Sequence, residues 1–359
     1  MDPVQALEEI ALLLERQLAS PFKAKAFRRA AAAIEDVPVD ELRSRAADGR
    51  LKRTPGIGDS SYTVIAEALA GELPGYLADL RTRAGVDAAP TGLRAQLRGD
   101  LHAHSDWSDG TTSIAAMARA AASAGLEYFA LTDHSPSLRV ANGLSPERLE
   151  SQLEIVAALN AGHGEGDPEA DDADGAPAAA AGAGLGVRIL AGIEVDILAD
   201  GALDQRPELL DRLDVVVASV HSKLRMPAAE MTPRMLRAIA DPRMNVLGHC
   251  TGRLVRGSRG TRPQSEFDAR AVFAACAEHD VAVEINSRPE REDPPDDLIA
   301  LAIEAGCRFA IDTDSHAPGH FGFLDLGAAR AEAAGIPPER IVTTWPADRL
   351  VAWAGAKKR

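Results

Sequence analysis

The chain has 359 residues, 46% of them hydrophobic but only 4% aromatic, and a net charge of −15 at pH 7. That length allows one large domain plus a small one, with a core built mainly from Ala, Val, Leu and Ile. The acidic excess argues against a broad nucleic-acid-gripping face, which is ordinarily basic, although bound divalent cations offset carboxylates locally.

The first residues, MDPVQALEEI, lack the basic start and apolar run of a secretory signal. No stretch reaches the roughly 18–20 apolar residues that span a bilayer. Cys250, Cys276 and Cys307 form no CxxC pair and suggest no disulfide framework. The expectation is a soluble, cytoplasmic protein with no membrane association and no obligate protein partner.

In chain order, residues 1–85 read as helical. ALEEIALLLERQLA and FKAKAFRRAAAAIEDV place apolar residues at helical spacing, the second with a basic face, and breaks fall at Ser20-Pro21, Val37-Pro38 and Pro55-Gly56. This segment carries 12 Lys+Arg against 13 Asp+Glu, so nearly all of the acidic excess lies beyond it. Residues 86–98 read as a linker. From Asp100 onward, short apolar runs alternate with Ala-rich helical stretches, the pattern of a parallel sheet with helical crossovers. The run 162–186, GHGEGDPEADDADGAPAAAAGAGLG, is too rich in Gly, Ala and acid to bury a core and reads as a flexible surface insert.

What ends each apolar run is the strongest signal in the chain. GDLHAH leads to His102 and His104, YFALTDH to Asp133 and His134, and ILAGIEVDI carries Glu194 and Asp196. VVVASVHS ends on His221, NVLGHC on His249, VAVEINS on Glu284, Asn286 and Ser287, and FAIDTDSH on Asp314 and His316. In barrels of parallel strands the active site lies where the C-terminal strand ends converge. A single histidine in such a place is more often structural; seven strand ends in agreement are not. His279, in a helical context, and His163, in the insert, carry no such weight.

Chemistry narrows the reading. His-x-His on a strand puts both imidazoles on one face, suited to one divalent ion. Carboxylates such as Glu194 and Asp314 can bridge two ions about 3.5–4 Å apart. A site this rich in N and O donors, with no required thiolate, would hold two or three Mn²⁺, Zn²⁺ or Fe²⁺ ions.

DLHAHSDWSDGTT, LTDHSPSLRVANGLS, GIEVDILADGALD, VVVASVHSKLR, LGHCTGRL, EINSRPEREDPPDDL and IDTDSHAPGH resemble the polymerase-and-histidinol-phosphatase (PHP) domain, in the version found at the C-terminus of prokaryotic family X DNA polymerases. The resemblance covers roughly residues 99–356. It implies a distorted (β/α)7 barrel with a trinuclear site whose nine ligands fall here on His102, His104, Asp109, His134, Glu194, His221, His249, Asp314 and His316. Asp109, in the loop SDWSDG, is contributed by the resemblance alone. Cys250 follows His249 where the polymerase-linked versions commonly have Pro, which places it close to the site but not on metal.

PFKAKAFRRAAAAIE and LKRTPGIGDSSYTVIAEAL resemble the small N-terminal domain of family X polymerases, with its helix-hairpin-helix. The resemblance implies an all-α DNA-binding domain over 1–85 ahead of a metal-dependent phosphoesterase domain over 99–359. Gly56 and Gly58 would bring backbone N–H groups to a DNA phosphate, and Lys23, Lys25, Arg28, Arg29, Lys52 and Arg53 form the phosphate-facing cluster. A family X polymerase has its catalytic palm between these parts; here only the linker stands there, so no polymerase activity is expected.

The function implied is hydrolysis of phosphate esters, acting on DNA 3′ ends in repair or processing. Arg253 and Lys223, which follow metal-ligand strands directly, are the candidate phosphate clamps, ahead of Arg288, Arg225 and Arg139. The competing readings are a small-molecule phosphomonoesterase of the histidinol-phosphatase type and a DNA-binding module without catalysis.

Overall fold

The computed structural model describes residues 1–84, 90–162, 184–256 and 260–358. Most of the expected insert (163–183, with His163) and the start of the expected linker (86–89) lie outside these. The chain divides into two compact units, residues 1–90 with 318–322 and residues 91–317 with 323–359. Among the described residues no helix is long and apolar enough to cross a membrane.

The first unit holds five helices: α1 Pro3–Arg16, α2 Pro21–Ala32, α3 Val39–Ala47, α4 Asp59–Leu69 and α5 Gly75–Ala84. Asp2 caps α1 by accepting the Gln5 N–H at 2.9 Å, and Pro3 and Pro21 open α1 and α2, where a missing N–H costs nothing. Leu7, Ile10 and Leu14 of α1 share a buried cluster with Phe27 and Ala31 of α2 and Val64 and Ile65 of α4. Each large apolar side chain so buried contributes about 1.5–3 kcal/mol.

The second unit is the expected (β/α)7 barrel. Its strands are β1 Gly99–Ala103, β2 Tyr128–Leu131, β3 Arg188–Asp196, β4 Val215–Ser219, β5 Val246–Leu247, β6 Ala282–Asn286 and β7 Phe309–Asp312. They pair in parallel in sequence order. Helices α6 Ile114–Ser123, α7 Pro146–Asn160, α8 Pro207–Leu210, α9 Ala228–Ile239, α10 Ala269–Glu278 and α11 Asp296–Glu304 connect them, and α12 Leu324–Ala333 and α13 Ala347–Gly355 follow β7. Ser113, Ser145 and Asp268 cap α6, α7 and α10 through their side chains.

The barrel interior has two layers. By the two-residue alternation of a strand, Leu190 shares a face with Glu194, Ala282 with Glu284, and Ala310 with Asp312. The apolar members of these sets cluster with Tyr128, Val215, Val217 and the Trp345, Leu350 and Trp353 side chains near the C-terminus. The polar members lie toward the strand ends. Gly99 is required by close approach: a Cβ there would stand 1.9 Å from the Tyr128 ring.

The seam between β1 and β7 is closed by side chains as much as by a ladder. Ala103 and Ser315 form a parallel bridge, with His104 N–H donating to Ser315 O at 2.7 Å and Ser315 N–H to His102 O at 3.1 Å. Below it, Asp312 Oδ1 accepts the Leu101 N–H at 2.8 Å, while Asp100 accepts the Thr313 N–H at 3.2 Å and the Thr313 hydroxyl. Burial pushes the Asp100 carboxyl up to about 6. Burial and the neighbouring Asp100 charge hold the Asp312 carboxyl well above its usual range.

The second half of the expected linker is not free chain. Leu93 and Leu97 are buried, Arg94–Gln96 forms a 3₁₀ turn, and Arg98 N–H donates to Thr343 O at 2.8 Å. Two leucines four apart gave it apolar surface to bury, so it packs on the barrel unit.

Candidate metal centre

Six of the seven strands, all but β6, deliver a donor near or just beyond the C-terminal end, and five imidazoles gather around Glu194. Its Oε2 lies 2.8 Å from His134 Nδ1, 3.3 Å from His102 Nε2 and 3.7 Å from His104 Nε2. Its Oε1 lies 3.0 Å from His249 Nε2 and 3.3 Å from His221 Nε2. Five imidazoles thus surround one buried carboxylate. Beside it, Asp314 Oδ1 stands 3.5 Å from His104 Nε2 and 3.4 Å from His316 Nδ1. Asp109 Oδ1 stands 3.4 Å from His134 Nε2 and 3.3 Å from His316 Nε2.

These residues fall into overlapping groups whose donor atoms all lie within 4.8 Å of one another. The groups are His104, Asp109, His134 and His316; His102, His104 and Asp314; His102, Glu194 and His249; and His134, Glu194 and His221. Two ligand atoms bound to one ion at about 2.1 Å stand roughly 3.0–3.4 Å apart in tetrahedral or octahedral geometry. Most of the gaps above match that edge length.

The burial chemistry also fits a cation. His102 Nε2, both nitrogens of His104, His134 Nδ1, His249 Nδ1 and both Glu194 oxygens are buried with no hydrogen-bond partner. So many unsatisfied polar atoms in one place would cost several kcal/mol unless a bound group meets them. Burial works against charge on Glu194, but the His102, His221 and His134 imidazoles outweigh it and hold the carboxyl well below its usual range. Burial likewise opposes charge on His134, yet Glu194 and Asp109 raise it to about 10. His102 and His221 are also raised, against burial, by the carboxylates beside them. His104 goes the other way: burial, with His316 and His134 beside it, pushes it down to about 3.

A second layer of residues orients the donors, as ligating imidazoles require. Glu284 Oε1 lies 2.6 Å from His102 Nδ1, and its other oxygen accepts the His249 N–H. Asp196 Oδ1 accepts the His221 N–H at 3.0 Å and lies 3.1 Å from His221 Nδ1. Asp133 binds the Ser105 N–H at 2.8 Å, the Ser105 hydroxyl at 2.6 Å and Gln152 Nε2 at 2.7 Å, which anchors the loop that carries Asp109. The strand-end rule singled out Glu284, Asp196 and Asp133 beside eight of the nine, all but Asp109; the structure gives them this bracing place.

The other sequence candidates are spread more widely. Arg253 donates to the main-chain oxygens of Arg291 and Glu292, so its guanidinium braces a loop. Lys223 is exposed, with a left-handed backbone (φ 53°). Arg288 donates to Asp314 O at 3.0 Å. Arg291, which no sequence signal singled out, donates through Nε to Asp314 Oδ2 at 3.0 Å. Cys250 is buried with its Sγ 3.9 Å from Asp293 Oδ1, and it belongs to none of the donor groups. His279 caps the end of α10 and joins none of the donor groups either.

In the helical unit, Lys23, Lys25, Lys52 and Arg53 are exposed, as is much of the surface around them. Arg28 is turned inward, paired with Glu8 at 2.6 Å and Glu15 at 2.7 Å. Lys52 pairs with Asp59 at 3.1 Å. Gly56 has φ 95°, a conformation that favours glycine, and packs against the Arg29 side chain. The Gly58 N–H already donates to Ser61 Oγ at 3.0 Å.

Seven parallel strands whose ends gather His, Asp and Glu groups able to hold metal ions define a β/α barrel with a candidate metal centre. The PHP domain model matches residues 100–288, more than half of the chain, and a helix-hairpin-helix domain model matches residues 1–72. The chain belongs to the PHP domain family. It is 37% identical over 221 residues to the DNA polymerase/3′-5′ exonuclease PolX of Bacillus subtilis, a match covering 62% of this chain and 34% of that protein. It is 32% identical over 169 residues to the probable phosphatase YcdX of Escherichia coli K12, covering 45% of this chain and 65% of that one. The chain therefore spans about a third of the first relative and less than two thirds of the second. A histidinol phosphate phosphatase from Lactococcus lactis, solved with zinc, L-histidinol and phosphate, aligns at 18% identity with a TM-score of 0.45, covering 67% of this chain and 94% of that one.

Proposed function

We propose that His102, His104, Asp109, His134, Glu194, His221, His249, Asp314 and His316 hold two or three divalent ions, Mn²⁺, Zn²⁺ or Fe²⁺, and that the site hydrolyses phosphodiesters at DNA 3′ ends. The observation that carries the metal reading is Glu194, buried, with neither oxygen hydrogen-bonded and five imidazole nitrogens within 3.7 Å. Such ions, when bound, make a water nucleophilic near neutral pH and neutralise charge on the phosphate oxygens.

The chain's own residues supply the rest. His104, kept neutral by burial and two neighbouring imidazoles, presents a lone pair without first losing a proton. Glu284 and Asp196 fix the orientations of His102 and His221. Lys223 stands exposed two residues beyond His221 and remains the cation best able to meet a substrate phosphate. Arg253 supports the reading less, since its guanidinium is engaged by carbonyls.

DNA is favoured over a small phosphomonoester by the helical unit. Its helix-hairpin-helix match and exposed Lys23, Lys25 and Arg53 suit a phosphate backbone. The similarity to an exonuclease points the same way, and no polymerase activity is proposed. The test is a side-by-side assay with Mn²⁺. Shortening of 3′-labelled single-stranded DNA, abolished by His102→Ala, is the expected outcome. Intact DNA with cleaved histidinol phosphate would shift the assignment to a small-molecule phosphatase. No turnover of either would leave a DNA-binding module.

A further inference from the structure

Asp314 is held both at its backbone and at one of its carboxylate oxygens. Its backbone sits in the left-handed region at φ 51°, which costs a non-glycine residue about 1–2 kcal/mol. Arg288 donates to its main-chain oxygen at 3.0 Å. Arg291 donates through Nε to its Oδ2 at 3.0 Å, and Asn286 Nδ2 lies 3.4 Å from the same oxygen. All three come from the end of β6 and the loop after it. Arg253 backs that loop by donating to Arg291 O and Glu292 O.

The two carboxylate oxygens of Asp314 therefore have different surroundings. Oδ2 faces a guanidinium and an amide. Oδ1 faces imidazole nitrogens, at 3.4 Å from His316 Nδ1, 3.5 Å from His104 Nε2 and 4.0 Å from His102 Nε2. An unrestrained carboxylate beside a divalent ion can swing to bind through both oxygens, which adds a ligand and changes the coordination number. A cationic donor fixed on one oxygen prevents that swing. Arg suits the task because its planar fork sets direction as well as charge, whereas Lys supplies only a point charge.

We propose that Arg291 is a positioning residue that holds Asp314 as a one-oxygen ligand, reserving Oδ1 for the ion shared with His102 and His104. This rests on the reading of Asp314 as a metal ligand. Arg291 is 17% exposed and Asp314 2%, so the pair is shielded from the solvent that makes surface ion pairs weak. Orienting residues of this kind, when removed, change metal affinity by about 10–100-fold.

The experiment uses the full chain loaded with Co²⁺, as wild type, Arg291→Lys, Arg291→Met and Asp314→Asn, with folding checked by circular dichroism. Arg291→Met should lower Co²⁺ affinity by about 10–100-fold and weaken the visible absorption of the bound ion, as a second Asp314 oxygen raises its coordination number. On a chromogenic phosphodiester kcat should fall while KM stays within about twofold, and added guanidinium should restore both absorption and kcat. Arg291→Lys should be intermediate, and it carries the test if the Met variant does not fold. Unchanged Co²⁺ affinity and absorption in the Arg291 variants would overturn the proposal, and a raised KM alongside them would make Arg291 a substrate contact instead. If the wild type binds no Co²⁺, or Asp314→Asn leaves the spectrum unchanged, it is the metal-ligand reading that fails.

Discussion

The barrel and the helical unit both gather charge, in opposite ways. In the barrel, six imidazoles and three carboxylates crowd a mostly buried site in which seven polar atoms of five side chains lack hydrogen-bond partners. In the helical unit, the basic residues lie mostly at the surface, and two of the six in the expected cluster, Arg28 and Lys52, already pair with acids of their own unit. Burial is what separates the two. Buried polar atoms without hydrogen-bond partners cost several kcal/mol, so the lone pairs gathered in the barrel fit a cation. An exposed lysine is satisfied by water and implies nothing by itself.

The sharpest way to break this contrast is Glu194→Gln, which keeps shape and removes the charge at the centre of five imidazoles. Phosphodiesterase activity should fall by about 10³-fold or more, measured as turnover of a chromogenic substrate. A variant with near-wild-type turnover would show that Glu194 is merely a buried structural acid.

At the barrel seam, Asp100→Ala strips the acceptor from the Thr313 N–H and hydroxyl and leaves Asp312 without its neighbouring acid. We expect a loss of about 2–4 kcal/mol in urea unfolding. A loss below about 1 kcal/mol would mean the Asp100 hydrogen bonds contribute little to closing the seam.

Proton linkage gives a further test of the barrel half. His134 is raised to about 10 by Glu194 and Asp109, so without metal this imidazole holds a proton at neutral pH, and the same carboxylate surroundings raise His102 and His221. A metal ion must displace that proton, so binding should release protons at pH 7 and tighten as pH rises toward about 10. Calorimetric titration in two buffers of different ionisation enthalpy measures the release. Equal heats in both would contradict it.

The helical half is sharpened by comparing two sets of basic residues. Arg28→Ala should destabilise the chain by about 1–2 kcal/mol, because it removes the ion-pair partner of Glu15, which is 9% exposed. A triple Lys23→Ala, Lys25→Ala, Arg53→Ala variant should be within about 0.5 kcal/mol of wild type. Its binding to single-stranded DNA should nevertheless show a salt slope shallower by about 0.7 for each phosphate it no longer neutralises. An unchanged slope would rule these three residues out as phosphate contacts.

The barrel was legible because strand period and strand ends carry the signal together. His102 and His104 share a face, and each of the remaining apolar runs but that of β6, which brings the bracing Glu284, stops within a few residues of a donor. Asp109 was invisible to that rule, since it lies in a loop anchored by Asp133 through Ser105 rather than on a strand. Arg291 was missed for a related reason: nothing in NSRPERED separates an arginine that turns inward to Asp314 from one that turns to water. Arg253 followed a donor strand, yet its guanidinium is engaged by carbonyls that the sequence does not locate. In the linker, Leu93 and Leu97 were readable as apolar but their docking surface was not. Backbone pattern predicts which face a residue takes, while partner choice depends on chain segments far apart in sequence.

The central claim, that the strand ends of this barrel form a multinuclear metal centre, is tested most directly by counting metal. Protein purified without chelator and analysed by inductively coupled plasma mass spectrometry should carry about two to three divalent ions per chain, with the count falling in Glu194→Gln. A folded wild-type protein that holds less than one ion per chain after equilibration with Mn²⁺, Zn²⁺ and Fe²⁺ would contradict it.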